Sequence, residues 1–144
     1  MPVTASSSHD YVIAPGPLDG AGRRSIYLEV RRNFPATFLT IFDWPRPLAT
    51  TGRRNVTNVP AQGLTLLNDP FVVQQAELFA RRALAAPQPT AADRVAYMYL
   101  LALGRPPSSA ETERALALTQ SGRAEDWRDL AHGLFNLKEF VFLR

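Results

Sequence analysis

The sequence predicts a mainly α-helical fold, an irregular bundle of five to six short helices with one short extended segment near the N-terminus. Three observations favour this class. Apolar residues recur three and four positions apart over most of the chain after residue 33, as on one face of a helix. Proline, glycine, asparagine and serine stand where one helix would end and the next begin. Alternating apolar and polar residues, typical of a strand, occur in residues 25–30.

The sequence predicts two regions along the chain. Residues 1–22 are rich in Pro, Gly and Ser and show no hydrophobic period, which indicates a flexible linker. Residues 23–144 are expected to form a single helical domain. In "RRSIYLEVRR", Ile26, Leu28 and Val30 would face one side of a strand. A lone strand is not stable in water, so this segment needs a partner.

The middle of the chain predicts a tight corner between two helices. A first helix in "FPATFLTIFDWPRP" would end before its prolines. A second would begin near Pro60, a residue tolerated in a first turn. Asn68 would end it in the left-handed conformation, and Asp69 would cap a third helix with Pro70 at its first position. We interpret Pro60, Asn68, Asp69 and Pro70 as a structural corner.

Capping signals delimit the other helices. Thr90 and Asp93 have the spacing of a capping pair, Gly104 follows the end of that helix, and Ser108 and Glu111 have capping-box spacing. A last helix is expected to run without a break through "DWRDLAHGLFNLKEFVFL". The residues predicted to share apolar faces are Phe34, Phe38, Ile41, Phe42, Leu64, Leu67, Phe71, Val72, Ala76, Phe79, Ala80, Ala83, Val95, Met98, Tyr99, Leu101, Ala102, Ala115, Leu116, Leu118, Thr119, Trp127, Leu130, Ala131, Leu134 and Phe135.

Composition excludes several function classes. The net charge is +3, with 15 Arg and one Lys among scattered acids, and the absence of a basic stripe argues against nucleic-acid binding. Without cysteine the chain holds no disulfide, thiolate metal site or covalently attached haem. We expect no membrane span, because no apolar run approaches the roughly 20 residues needed. The N-terminus also lacks the basic and apolar regions of a signal peptide.

The best candidate for ligand binding is the polar loop at Arg53, Arg54 and Asn55, just before a helix N-terminus that would favour an anion. Trp44, near an exposed loop, would add a ring that stacks on a sugar or fills a partner's pocket. A sulfated or carboxylated glycan, or an acidic partner loop, would fit. The structural alternative, which we favour, is that Arg54 bridges to the carboxylate of Asp69 or Asp43 and holds the corner.

The remaining candidate residues do not indicate an active site. The arginines at positions 23, 24, 31 and 32 flank the predicted strand and are expected to pair with nearby acids. His132 lies beside the apolar stripe of the last helix, and no spacing brings it to other metal ligands. Glu125, Asp126 and Asp129 cluster where negative charge suits the start of a helix. We therefore predict no catalytic residue and no metal site in this chain.

Four stretches occur in a specific order: "RRSIYLEVRRNFPATFLTIFDWP", "GRRNVTNVPAQGLTLLNDPFVVQQAELFARR", "LLALGRPPSSAETE" and "LFNLKEFVF". In this order they resemble the C-terminal part of the planctomycete-specific domain of unknown function, over about residues 22–144. Proteins with this domain often carry a c-type cytochrome domain and a planctomycete cytochrome-associated domain. The loop "ATTGRR" lacks the Cys that the family often has there.

The resemblance implies a protein of the periplasm or cell envelope, with a haem c in an upstream domain and no cofactor in this chain. Its partners would be neighbouring domains of a larger protein, or a separate partner chain. We expect a non-catalytic structural and interaction module. Two alternatives stay open: a module that binds an anionic polysaccharide through the Arg-rich loop, and the C-terminal portion of an enzyme or redox protein whose active groups lie upstream.

Overall fold

The computed structural model describes residues 4–5, 11–12, 37–44, 52 and 60–142. The fold is mainly α, as the sequence predicts, with seven helices among the described residues and five of them longer than one or two turns. Two compact units divide the chain, Met1–Val59 and Pro60–Arg144. In the described part, no helix is both long and apolar enough to cross a membrane.

In the first unit, two dipeptides pair within the predicted linker. Strand β1 (Thr4–Ala5) runs antiparallel to β2 (Tyr11–Val12). Helix α1 (Thr37–Ile41) follows, and the rings of Phe38 and Phe42 lie 5.1 Å apart, on the face that the sequence predicts. The predicted strand at residues 25–30 and the prolines after α1 lie outside the described residues.

The second unit contains the other helices. Their bounds are α2 Pro60–Asn68, α3 Pro70–Ala85, α4 Ala91–Leu103, α5 Ser109–Leu118, α6 Ala124–Phe135 and α7 Lys138–Val141.

Side-chain caps begin three of these helices at the predicted positions. The Asp69 carboxylate accepts from the Phe71 N–H at 2.9 Å and starts α3. The Thr90 hydroxyl accepts from the Asp93 N–H at 3.1 Å and starts α4. At α5 both bonds of the capping box between Ser108 and Glu111 are present. Each cap satisfies a backbone N–H that has no partner within its helix.

The core of the second unit lies mainly between α3 and α6, which form its most extensive helix–helix contact. Helix α3 contributes small side chains and α6 contributes larger ones, so the two helices approach closely. Most of the predicted inward residues of α3, α4 and α6 are buried in this core. Its members are Ala76, Ala80, Ala83, Val95, Met98, Tyr99, Ala115, Trp127, Leu130, Ala131 and Leu134.

The predicted apolar faces include residues that the fold leaves exposed to water. Leu64 and Leu67 of α2 are 59% and 52% exposed, and Leu101 and Leu118 are also exposed. The sequence predicts Leu101 on the buried side of α4, and that prediction is wrong. The other three are predicted only to share apolar faces, and helical spacing does not show how much of a face neighbours cover. On α2 the buried residue is Gln62.

Two predicted helix ends are also corrected. Asn68 is not left-handed, since Asp43 is the one non-glycine residue with positive φ in the described part. Its side-chain amide instead donates to the Leu64 carbonyl, four residues earlier, at 2.9 Å. The last predicted helix breaks at Asn136, whose N–H bonds to the Gly133 carbonyl and tightens the turn before α7.

Replacing Gly104 and Gly133 with alanine should change the free energy of unfolding in opposite directions. Gly104 ends α4 with φ +70°, a backbone conformation that costs an L-residue about 1 kcal/mol or more. Gly133 lies within α6 with open space where a Cβ would stand, so alanine there should stabilise by about 0.5–1 kcal/mol. Urea unfolding of G104A and G133A checks this, and shifts of the same sign would contradict it.

Candidate functional site

The predicted ligand-binding loop, Arg53 to Asn55, lies outside the described residues. Trp44 is partly buried and ends the turn after α1, where its backbone N–H donates to the Leu39 carbonyl at 3.1 Å. The structure therefore does not test whether these residues form an anion site or whether Arg54 bridges to an acid. Both hypotheses stay predictions.

The predicted corner residues lie where α2 meets α3. Pro60 is the first residue of α2 and Asn68 the last. Asp69 alone links the two helices, and Pro70 is the first residue of α3. The Asp69 carbonyl also accepts from the Val73 N–H at 3.1 Å, so side chain and backbone of one residue both cap α3.

His132 connects α6 to α2. Its Nε2 lies 2.9 Å from the carbonyl oxygen of Leu66. Because a carbonyl oxygen only accepts, Nε2 carries the proton and donates it. The imidazole is partly buried and acts as a cross-link between two helices. This contact supports the structural interpretation of His132 that the sequence favours.

Arg105, which sequence reasoning did not single out, is the centre of a cluster of ion pairs with two acids. It follows the Gly104 cap, and its guanidinium forms a two-bond fork with Glu111 at 2.8 and 2.9 Å. A second fork joins it to Glu139 at 2.7 and 2.8 Å. Bidentate pairs of this kind are the stronger form of ion pair. We call Arg105, Glu111 and Glu139 the arginine clamp.

The arginine clamp leaves no donor for a ligand. Guanidinium has five N–H donors. Two bond Glu111, two bond Glu139, and the fifth lies 3.1 Å from the Pro106 carbonyl. The clamp therefore joins the end of α4, the start of α5 and α7, and its chemistry is structural.

Electrostatics agree with this geometry. Hydrogen bonds from Arg105, and then from the Ser108 N–H, lower the pKa of Glu111 to about 2. The bonds to Glu111 and Glu139 raise the pKa of Arg105 above its ordinary value. Burial, and then the charge of Glu111, raise the pKa of Tyr99, whose ring lies 5.8 Å from the guanidinium carbon. Each shift favours the protonation state that the clamp needs at neutral pH.

Two other arginines fasten helix ends. The Nε of Arg94 donates to the Ala83 carbonyl at 3.2 Å, in the last turn of α3, and its guanidinium lies 5.3 Å from the centre of the Trp127 ring. Arg123 bonds Asp126 at 3.3 Å. Asp126 also accepts a hydrogen bond from Ser121, and these bonds lower its pKa, with the Ser121 contribution largest.

His132 and the acids of the arginine clamp are engaged in internal bonds. No group of three or more His, Asp or Glu in the described part could hold a metal ion. Sequence reasoning missed Arg105 and Glu139 because they lie far apart in the chain. The local signal for Arg105 was its place between a glycine cap and a capping box.

The low pKa of Glu111 predicts a pH-dependent stability. A folded-state pKa near 2 against an ordinary value of 4.5 means that the contribution is complete above pH 4.5 and is lost as pH falls toward 2. E111Q should melt below wild type at pH 7, and the gap in Tm should close toward pH 2. E113Q, the same change on an exposed acid of α5, is the control. A gap that does not depend on pH would contradict the assignment.

These helices, whose ends are tied to one another by arginine side chains, define a mainly α-helical domain. A scan against protein-family models matches residues 6–119 to PSD1, described as "Protein of unknown function (DUF1553)". The chain belongs to this family, which confirms the resemblance seen in its motifs. Searches of curated proteins and of solved structures returned no match.

The family match and the folded unit have different limits. The match begins within the predicted linker and ends at Thr119, before α6 and α7. Two members of the arginine clamp lie inside the match, and Glu139 lies beyond it. The predicted boundary between linker and domain at residue 22 stays a prediction.

Proposed function

We propose that this chain is a non-catalytic structural and interaction module of a larger cell-envelope protein, and that it packs against neighbouring domains of that protein. The observation that carries the proposal is the exposed apolar face of α2. Leu64 and Leu67 lie three residues apart, so they share one side of the helix, and each is more than half exposed. Paired apolar side chains on a fixed surface are typical of a protein contact.

The α2 face is held in place from two sides, which supports this interpretation. Asp69 joins α2 to α3 without an intervening loop. His132 bonds the Leu66 carbonyl, between the two exposed leucines in sequence. A helix fastened in this way presents its leucines without a large loss of conformational entropy on binding.

The charged groups also support a structural role. Arg105, Glu111 and Glu139 bond one another, and Arg94 bonds α3 and covers Trp127. In the part of the chain that the structure describes, these charges stabilise helix ends. Placement in the cell envelope, and a haem c in an upstream domain, rest on the family resemblance and belong to the same proposal.

Site-directed photo-crosslinking in the native cell tests the contact. A photoreactive residue at position 67 should crosslink to one defined product, either another domain of the same polypeptide or a single partner chain. The same residue at position 120, where Gln is exposed on the polar surface after α5, should give no such product. Equal labelling at both positions would contradict the proposal.

A second experiment separates the glycan-binding alternative. Retention on a sulfated dextran column that falls with salt, and that is lost in R54A with an unchanged Tm, would favour binding through Arg53, Arg54 and Trp44. Unfolding of R54A would instead support its role in the corner. The other alternative, an enzyme or redox protein with its active groups upstream, is tested by sequencing the DNA before Met1 for a continuing frame and a haem-attachment site.

A further inference from the structure

We infer that α7 is a strap that opens by itself, hinged at Asn136 and Leu137, while the helices beneath it stay folded. None of its four residues is buried. The chain is bent on both sides of Leu137, because Asn136 ends α6 and Leu137 is extended. A short segment with little buried surface opens at a lower free energy than the whole domain.

The strap contacts the helices through the side chains of Glu139 and Phe140. Glu139 bonds Arg105 through the second fork of the arginine clamp, and 46% of its side chain is exposed. Phe140 stacks on Phe135 of α6, with ring centres 4.8 Å apart. The fork is bidentate, but nearly half of the Glu139 side chain is exposed, so water and salt screen the pair. One ring contact adds a modest stabilisation.

Arg105 and Phe135, the residues that α7 contacts, each keep another partner when the strap opens. Arg105 stays bonded to Glu111, whose side chain is 25% exposed and belongs to the capping box of α5. Phe135 stays stacked on Phe79 of α3, at 5.6 Å. The Arg105 donors that opening releases face water, so no polar group is left buried without a partner. This is the physical reason why opening is local.

The helix beneath the strap is anchored independently. Trp127, Leu130, Ala131 and Leu134 of α6 are buried in the core against α3 and α4. Their packing does not depend on Glu139 or Phe140. Opening of α7 therefore exposes one face of Phe135 and the Arg105 N–H groups that bond Glu139, and leaves the core unchanged.

Amide hydrogen exchange on the full chain tests the strap. The N–H groups of Phe140, Val141 and Phe142, which bond the carbonyls of Leu137 and Lys138, should exchange faster than those of Leu130 and Leu134. Removing the ion pair in E139Q should speed exchange in α7 about two- to fivefold, the effect of one exposed ion pair. Exchange in α6 should not change.

E113Q is the matched control, because it makes the same change at an exposed acid of α5 and should leave α7 at the wild-type rate. Added NaCl should speed α7 exchange in wild type and not in E139Q, since salt screens the pair. Exchange of α7 at the α6 rate would overturn the inference. So would an E139Q variant that speeds α6 and α7 equally, or one that leaves α7 unchanged.

Discussion

Replacing Trp127 with alanine is expected to lower the free energy of unfolding by about 3–5 kcal/mol. Trp127 is 3% exposed and packs in the core, where α6 contacts its neighbouring helices. Its removal leaves a cavity that small side chains such as Ala80 and Ala83 cannot fill. Arg94 also loses the ring that it covers.

Urea unfolding followed by far-UV circular dichroism measures this loss without relying on the fluorescence of the deleted ring. The control is L78A, which shortens an exposed side chain of α3 and should change stability by roughly 0.5 kcal/mol or less. W127F, which keeps a ring in the site, should lose less than W127A. A loss below about 1 kcal/mol in W127A would show that α6 is not part of the core.

Enlarging Ala76 to leucine is expected to destabilise the domain by about 1–3 kcal/mol. Ala76, Ala80 and Ala83 are at most 2% exposed and lie on the side of α3 that meets α6. Three alanines on one face allow the helix axes to approach closely, and added methylenes would push the helices apart.

The matched control is A85L, at the exposed end of the same helix. It adds the same atoms and should change stability by roughly 0.5 kcal/mol or less. Both variants are compared with wild type by urea unfolding. If A76L were instead more stable than wild type, the α3–α6 interface would contain unfilled space, and the close packing of these helices would be wrong.

The core of the second unit extends beyond the residues that the family model matches. The match ends at Thr119, but the apolar face of α3 is buried against α6, which begins at Ala124. Residues beyond the match therefore supply half of the main interface. A folded unit needs this partner face, because α3 alone would expose Ala76, Ala80 and Ala83 to water.

The sequence by itself determined the mainly α fold, the family, the caps at Asp69, Thr90 and Ser108, and the apolar stripe of α6. These features depend on residues within about four positions of each other, or on a motif order read directly from the chain. The bonds of a cap close within one turn, so no distant residue is needed to predict them.

Only the tertiary structure decided which apolar residues are covered and where the charges pair. Leu64 and Leu67 have the spacing of core residues, but burial depends on which helix lies opposite, and spacing holds no record of that. Arg105 meets Glu139 because α4, α5 and α7 converge, and His132 meets the Leu66 carbonyl because α6 lies beside α2. Contacts between residues distant in sequence arise when helices pack, since packing alone brings these side chains within bonding distance.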